Sequence, residues 1–126
     1  MDAAMAQQKD RMAETSKRGP EPTGPQLDSA ASTFALLSNS ARLHVLWLAA
    51  QDSHDVTALA ERTGLGVATM SQHLSKLRLA GLISARREGR RHIYTVDDPH
   101  VLTLVHQIFA HISPDGGLAP DPALKG

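Results

Sequence analysis

Three side chains near the end of the sequence have the chemistry of a divalent-cation site. Asp98 and His100 stand two residues apart, and His111 follows after ten intervening residues. One carboxylate and two imidazoles suit zinc, nickel or cobalt. A second concentration of chemistry lies upstream. Between positions 76 and 92, Lys76, Arg78, Arg86, Arg87, Arg90 and Arg91 face only one acidic residue, Glu88. That density suits a phosphate backbone. Just before it, Thr69, Ser71, Gln72, His73, Ser75 and Lys76 supply short hydroxyl, amide, imidazole and cationic groups. Gln72 has the amide that pairs bidentately with adenine in a major groove.

Helix geometry constrains the first group. On one helix, His100 and His111 are three turns plus about 20° apart, so they share a face. They are also about 16 Å apart along the axis, and no single ion reaches both. If both ligate, they come from different chains. Two last helices packed antiparallel across a two-fold axis would bring Asp98 and His100 of one chain beside His111 of the other, making two equivalent sites. The apolar stripe Val101, Leu104, Val105, Ile108 and Ile112 gives those helices a reason to pair. Simpler roles are open to the same residues: Asp98 as a helix cap, His100 as a first-turn polar residue, His111 as a cation at a helix C-terminus.

The elements that must position these groups follow from periodicity and punctuation. Asp28 is expected to cap a first helix ending at Leu37, with Ala31, Phe34, Ala35 and Leu37 on one side. Ser40 is expected to cap a second, with Leu43, Leu46, Trp47 and Ala50 inward and His44 as a packing residue near its apolar side. Asp55 caps a short third helix from Val56 to Thr63, which Gly64 ends. A fourth runs from Val67 to about Ala80, with Val67, Met70, Leu74 and Leu77 as its buried stripe. Leu82 to Arg87 and His92 to Val96 read as strands of a hairpin tipped by Glu88-Gly89-Arg90-Arg91. Asp97-Asp98-Pro99 opens a last helix to about Ile112. The fold class is mainly α with a small β-hairpin: a winged helix-turn-helix, expected to be dimeric, in which a helix enters the major groove and the hairpin reaches the backbone or minor groove.

Composition sets outer bounds. The chain has 126 residues, 13 Lys+Arg against 13 Asp+Glu, seven His and no Cys. Disulfides, thiolate metal sites and a cysteine nucleophile are excluded. Four aromatic residues are too few for a stacked single-strand binding face. No apolar run approaches the roughly 20 residues of a membrane span, and no secretory signal is evident, so a cytoplasmic protein without membrane partners is expected. Residues 1–27, with Gly19-Pro20-Glu21-Pro22-Thr23-Gly24-Pro25, read as a disordered N-terminal tail. Residues 28–113 read as the DNA-binding and dimerisation domain. Residues 114–126 read as a flexible C-terminal tail.

The stretch SQHLSKLRLAGLISARREGRRHIY (Ser71 to Tyr94) resembles the recognition-helix and wing signature of ArsR/SmtB-type bacterial repressors. NSARLHVLWLA (Asn39 to Ala49) is similar to the family's second helix. The resemblance spans about residues 30–112. It implies a homodimer that binds an imperfect inverted repeat in double-stranded operator DNA and releases it when a metal ion or other inducer binds. It also implies a metal site on the last helix of the pattern Asp-x-His, ten residues, His, two residues, then His or Glu. Asp98, His100 and His111 match the first three positions, and Pro114 occupies the fourth. Asp115, His106, the N-terminal segment or water would then complete the shell. The family's thiolate site near the third helix has no counterpart, since Val56-Thr57-Ala58-Leu59 stands there. Zinc, nickel or cobalt would act as effector, not as catalyst, and the chain is not expected to be an enzyme. Histidine ligates when neutral, so sensing is expected to weaken below about pH 6. Three alternatives remain: a repressor of this fold whose metal site is degenerate, a small zinc hydrolase around Asp98, His100 and His111, and a dimerising module that binds no DNA.

Overall fold

The computed structural model describes residues 19–118. The described chain divides into two compact units between Thr33 and Phe34. Among the described residues are five helices and three strands: α1 (Gly24–Leu37), α2 (Ser40–Gln51), β1 (His54–Asp55), α3 (Val56–Thr63), α4 (Val67–Leu79), β2 (Ser84–Glu88), β3 (Arg91–Thr95) and α5 (Pro99–His111). No helix among them is long and apolar enough to cross a membrane.

The first helix begins at Gly24, not at Asp28. Thr23 and Gln26 make a reciprocal capping box: Thr23 Oγ1 accepts from Gln26 N at 3.2 Å, and Gln26 Oε1 accepts from Thr23 N at 2.9 Å. Pro25 sits inside the first turn, where its missing N–H costs nothing. The prolines that suggest a tail therefore include one that starts a helix. Of the apolar side expected on α1, only Leu37 is buried, and Phe34 remains 60% exposed.

Asn39, not Ser40, caps α2. Its backbone is extended (φ −158°), and its Oδ1 accepts from Arg42 N at 3.0 Å. Both residue types cap well; the neighbour with the extended backbone takes the role. The helix is buried more widely than one stripe: Val45, Leu46, Leu48 and Ala49 are all inside, while Leu43, Trp47 and Ala50 are half-buried. It is the central helix, touching α3, α4, α5 and β3. His44 is exposed instead of packed, beside a shallow depression of about 460 Å³ lined by Leu43, Trp47 and Phe109.

The helix-turn-helix follows expectation closely. Asp55 Oδ1 accepts from Ala58 N at 2.8 Å, and Gly64 ends α3 at φ +75°, where a side chain would be strained. On α4, Met70, Leu74 and Leu77 are buried, and burial of each contributes about 1.5–3 kcal/mol. Val67 is not part of that stripe; it is 51% exposed. It opens the helix, and its side chain leans toward the N-terminal end, past the core.

The wing is a three-stranded antiparallel sheet in the order β1-β3-β2. β1 is the unexpected strand: His54 pairs with Tyr94 and Asp55 with Ile93. A two-residue strand has no periodicity to read. β2 and β3 pair from Ser84↔Thr95 to Glu88↔Arg91, so Gly89-Arg90 is a two-residue loop. Gly89 takes φ +63° at its first position and Arg90 has no positive φ, the pattern of a type II′ hairpin turn. Beyond α5, Ser113 N donates to Gly117 O at 2.7 Å and Ile112 bridges to Leu118, so the residues expected to be flexible open with a closed turn.

Candidate nucleic-acid interface and metal-ligand residues

The exposed face of α4 is assembled by its own periodicity. With Met70, Leu74 and Leu77 turned inward, Thr69, Ser71, Gln72, Ser75 and Lys76 are all exposed, and His73 is half-buried at the margin. Gly66, at the N-cap, offers no side-chain bond. The first-turn N–H groups of α4 thus lack the internal acceptor that Asp55 gives α3.

The four wing arginines do not act as one patch. Cross-strand register places Arg86, Glu88 and Arg91 on one face of the hairpin and Arg87 and His92 on the other. Arg86 Nη2 lies 3.5 Å from Glu88 Oε1. Arg91 Nε donates to Asp55 Oδ2 at 2.9 Å. Arg87 Nε donates to the Gly89 carbonyl at 3.1 Å. Arg90, at the tip, is exposed and has no such partner among the described residues. Counting charges from 76 to 92 overstates the free positive charge of the wing, because Asp55 lies outside that window.

Asp55 thus does two jobs, one with each oxygen. The Ala58 N–H and then the Arg91 guanidinium hold its carboxyl below the usual carboxylate range. A depressed folded pKa means stability that is present above the ordinary value near pH 4 and lost as pH falls through the lowered one. The two jobs separate by substitution. Asp55→Asn keeps a capping oxygen and releases Arg91; Asp55→Ala loses both. Asp55→Ala is expected to cost about 1 kcal/mol in chemical denaturation. Asp55→Asn should cost less, and should steepen the salt dependence of binding to a duplex by about one phosphate contact.

The metal-ligand candidates fall into four places. Asp98 caps α5, accepting from His100 N at 2.8 Å, and the same Oδ1 lies 3.1 Å from His100 Nδ1. The His100 N–H is the main reason the Asp98 carboxyl is held below its usual range. These two side chains are thus together and open, with His100 96% exposed. His111 is exposed at the far end of α5. Among the described residues, no group of three or more His, Asp or Glu side chains is gathered for a metal within one chain. The two proposed supplements are engaged elsewhere. His106 Nε2 lies 3.3 Å from Gln51 Nε2 on α2. Asp115 Oδ1 accepts from Ser113 Oγ and, at 2.9 Å, from Gly117 N, bonds that also hold its carboxyl below the usual range.

Sequence reasoning missed the partners of His73 and Arg91. Arg42 Nη1 lies 3.5 Å from His73 Nδ1, a contact across 31 positions. The 36 positions between Asp55 and Arg91 likewise hide their ion pair.

Comparison with known proteins agrees with the fold. Residues 39–85 match the model of a bacterial regulatory protein, arsR family. The chain is 38% identical over 88 residues to the HTH-type transcriptional regulator KmtR of Mycobacterium tuberculosis, covering 69% of this chain and 68% of that protein. It is 32% identical over 85 residues to a cadmium resistance transcriptional regulatory protein, a CadC homolog of Staphylococcus aureus, covering 64% and 68%. Among solved structures, a homodimeric winged helix-turn-helix DNA-binding domain from Mycobacterium bovis aligns with a TM-score of 0.63 and 37% identity, covering 67% of this chain and 78% of that one. These relatives are transcriptional regulators and not enzymes, which sets aside the hydrolase reading of Asp98, His100 and His111. By sequence match, helix order and wing, the chain belongs to the ArsR family of bacterial regulatory proteins.

Proposed function

We propose that this chain is a cytoplasmic, homodimeric repressor that holds an inverted-repeat operator and releases it when zinc, nickel or cobalt binds between the two α5 helices. The observation that carries the metal half is the open Asp98–His100 pair at one end of α5 and the exposed His111 at the other. The donors suit a borderline divalent ion, and their separation leaves each site to be shared by two chains. Asp98 and His100 would hold the ion from one side and His111 of the second copy from the other. The ion would supply a cross-link between helices. The S. aureus relative named for cadmium resistance supports a metal as the signal.

The dimer is supported by apolar surface left open in one copy. Phe34, Ile108 and Phe109 are 60%, 41% and 41% exposed, around a groove of about 200 Å³ between α1, α2 and α5. Leu104 and Ile108 lie about 40° and 80° round α5 from His100, so apolar contact and ligands fall on adjoining strips of one helix. Gln72, Thr69, Ser71 and Ser75 would meet base edges or phosphates, with His73 at the margin; Lys76, Arg86 and Arg87 would meet phosphates and Arg90 the backbone or minor groove, while Arg91 would join them only where its pairing with Asp55 opens.

Fluorescence anisotropy of a labelled duplex from the region upstream of the chain's own coding sequence tests both halves. Binding without metal and release with one of the three ions is the expected result. Binding unchanged by every ion favours a repressor that answers another signal, a reading consistent with Pro114 at the fourth position and with the engaged His106 and Asp115.

A further inference from the structure

Arg42 joins three elements. Its backbone N–H is held by the α2 cap, Asn39 Oδ1. Its Nε donates at 2.7 Å to the Leu36 carbonyl, one of the last carbonyls of α1, which have no partner within their own helix. Its Nη1 points at His73 Nδ1 on α4, 3.5 Å away. Both Arg42 and His73 are half-buried.

A guanidinium is always charged and only donates. For this contact to be a hydrogen bond, the nitrogen facing the guanidinium presents a lone pair. His73 is then neutral, with its single ring proton on Nε2. Charged groups reach this ring from two elements, Arg42 of α2 and Lys76 of α4 itself. Burial first, and then those two cations, keep its pKa below the ordinary histidine value. Met70, Leu74 and Leu77 fix which side of α4 is inward, but apolar contact is non-directional. A polar contact to the end of α1 is directional and limits the roll of α4 about its own axis. Gln72 is the residue beside His73, and Thr69 and Lys76 lie one turn away.

We propose that Arg42 is a positioning residue for DNA reading: it indexes α4 to the C-terminal end of α1 by holding His73 in the Nε2–H tautomer. The inference rests on the DNA-binding reading above and adds a specific device to it.

The test uses the full chain and two probes, a duplex enriched from a random pool by the wild type and an unselected random duplex. Nitrogen-15 NMR of the free wild type should show His73 Nδ1 unprotonated and Nε2 carrying hydrogen. Arg42→Lys keeps the charge and should lower affinity for the enriched duplex about tenfold, leaving the random duplex within about twofold. His73→Asn places an acceptor near the Nδ1 position and should stay within about threefold of wild type; His73→Leu should lose selectivity as Arg42→Lys does. Thermal melting confirms that each variant folds. Selectivity of the wild type should fall as pH drops below the usual histidine range near 6.5 and the ring gains its second proton. An Nδ1–H tautomer in the wild type overturns the proposal. So do equal losses on both duplexes, which would make Arg42 a phosphate contact. If no duplex is enriched at all, the DNA-binding reading fails, while the ring resonances still decide the Arg42–His73 contact.

Discussion

Mixing two inactive variants should restore metal binding. His100→Ala and His111→Ala each remove a ligand from both sites of a symmetric dimer, so each alone is expected to lose the metal response and keep DNA binding. In a heterodimer of the two, one site loses both histidines and the other keeps both, because His100 comes from one chain and His111 from the other. After equilibration, half of the dimers are mixed and each has one intact site. Metal titration should then recover about a quarter of the wild-type stoichiometry. The wild type itself should bind one ion per chain and lose roughly 5- to 150-fold in duplex affinity, the range of a coupling of about 1–3 kcal/mol. Linkage requires duplex to weaken metal binding by the same factor. Recovery of no sites in the mixture would mean that His100 and His111 do not share an ion across the dimer. The described chain brings only Asp98 and His100 together, so no within-chain arrangement of the three predicts complementation.

A single charge on the open apolar face should lower DNA affinity by more than metal does. Phe34→Asp or Ile108→Asp places a carboxylate where a second copy is proposed to pack, and burying an unpaired charge there is strongly unfavourable. Because these side chains are 60% and 41% exposed in one copy, the subunit should still fold and melt cooperatively. Sedimentation should shift from dimer to monomer. Duplex affinity should fall by about 10²–10⁴, because the two half-sites lose the effective concentration that the linkage provides. A variant that still sediments as a dimer with unaltered affinity places the interface elsewhere.

The local parts of this molecule were legible because each depends on neighbours a few positions away. The Asp55 cap, the Gly64 stop, three of the four stripe residues on α4 and the place of the hairpin tip follow from spacing, although the tip is Gly89-Arg90 alone and not all of Glu88 to Arg91. What stayed hidden depends on distant partners or on competing local signals. β1 exists because β3 pairs with it, and nothing in two residues announces a strand. The prolines around Thr23 masked its box with Gln26. Phe34 has the spacing of a core residue, yet one copy leaves it open; periodicity marks an apolar face without saying what covers it. At the candidate interface the residue types were readable from the sequence, but their charge balance was not, since Arg91 is neutralised by a carboxylate 36 positions upstream. The metal-ligand residues remain separated by the length of α5, as helix geometry requires.

The type II′ turn has a consequence for the kind of duplex this protein should favour. It leaves Arg90 as a lone prong at the end of a thin ribbon, with the neighbouring guanidiniums held back by Glu88, Gly89 and Asp55. One unpaired cation on a narrow support suits a constricted minor groove, where negative potential is deepest and A·T-rich steps predominate. Preferred targets should therefore carry A-tracts outboard of each half-site, a bias that Arg90→Ala would flatten in an enriched pool while the central motif persists.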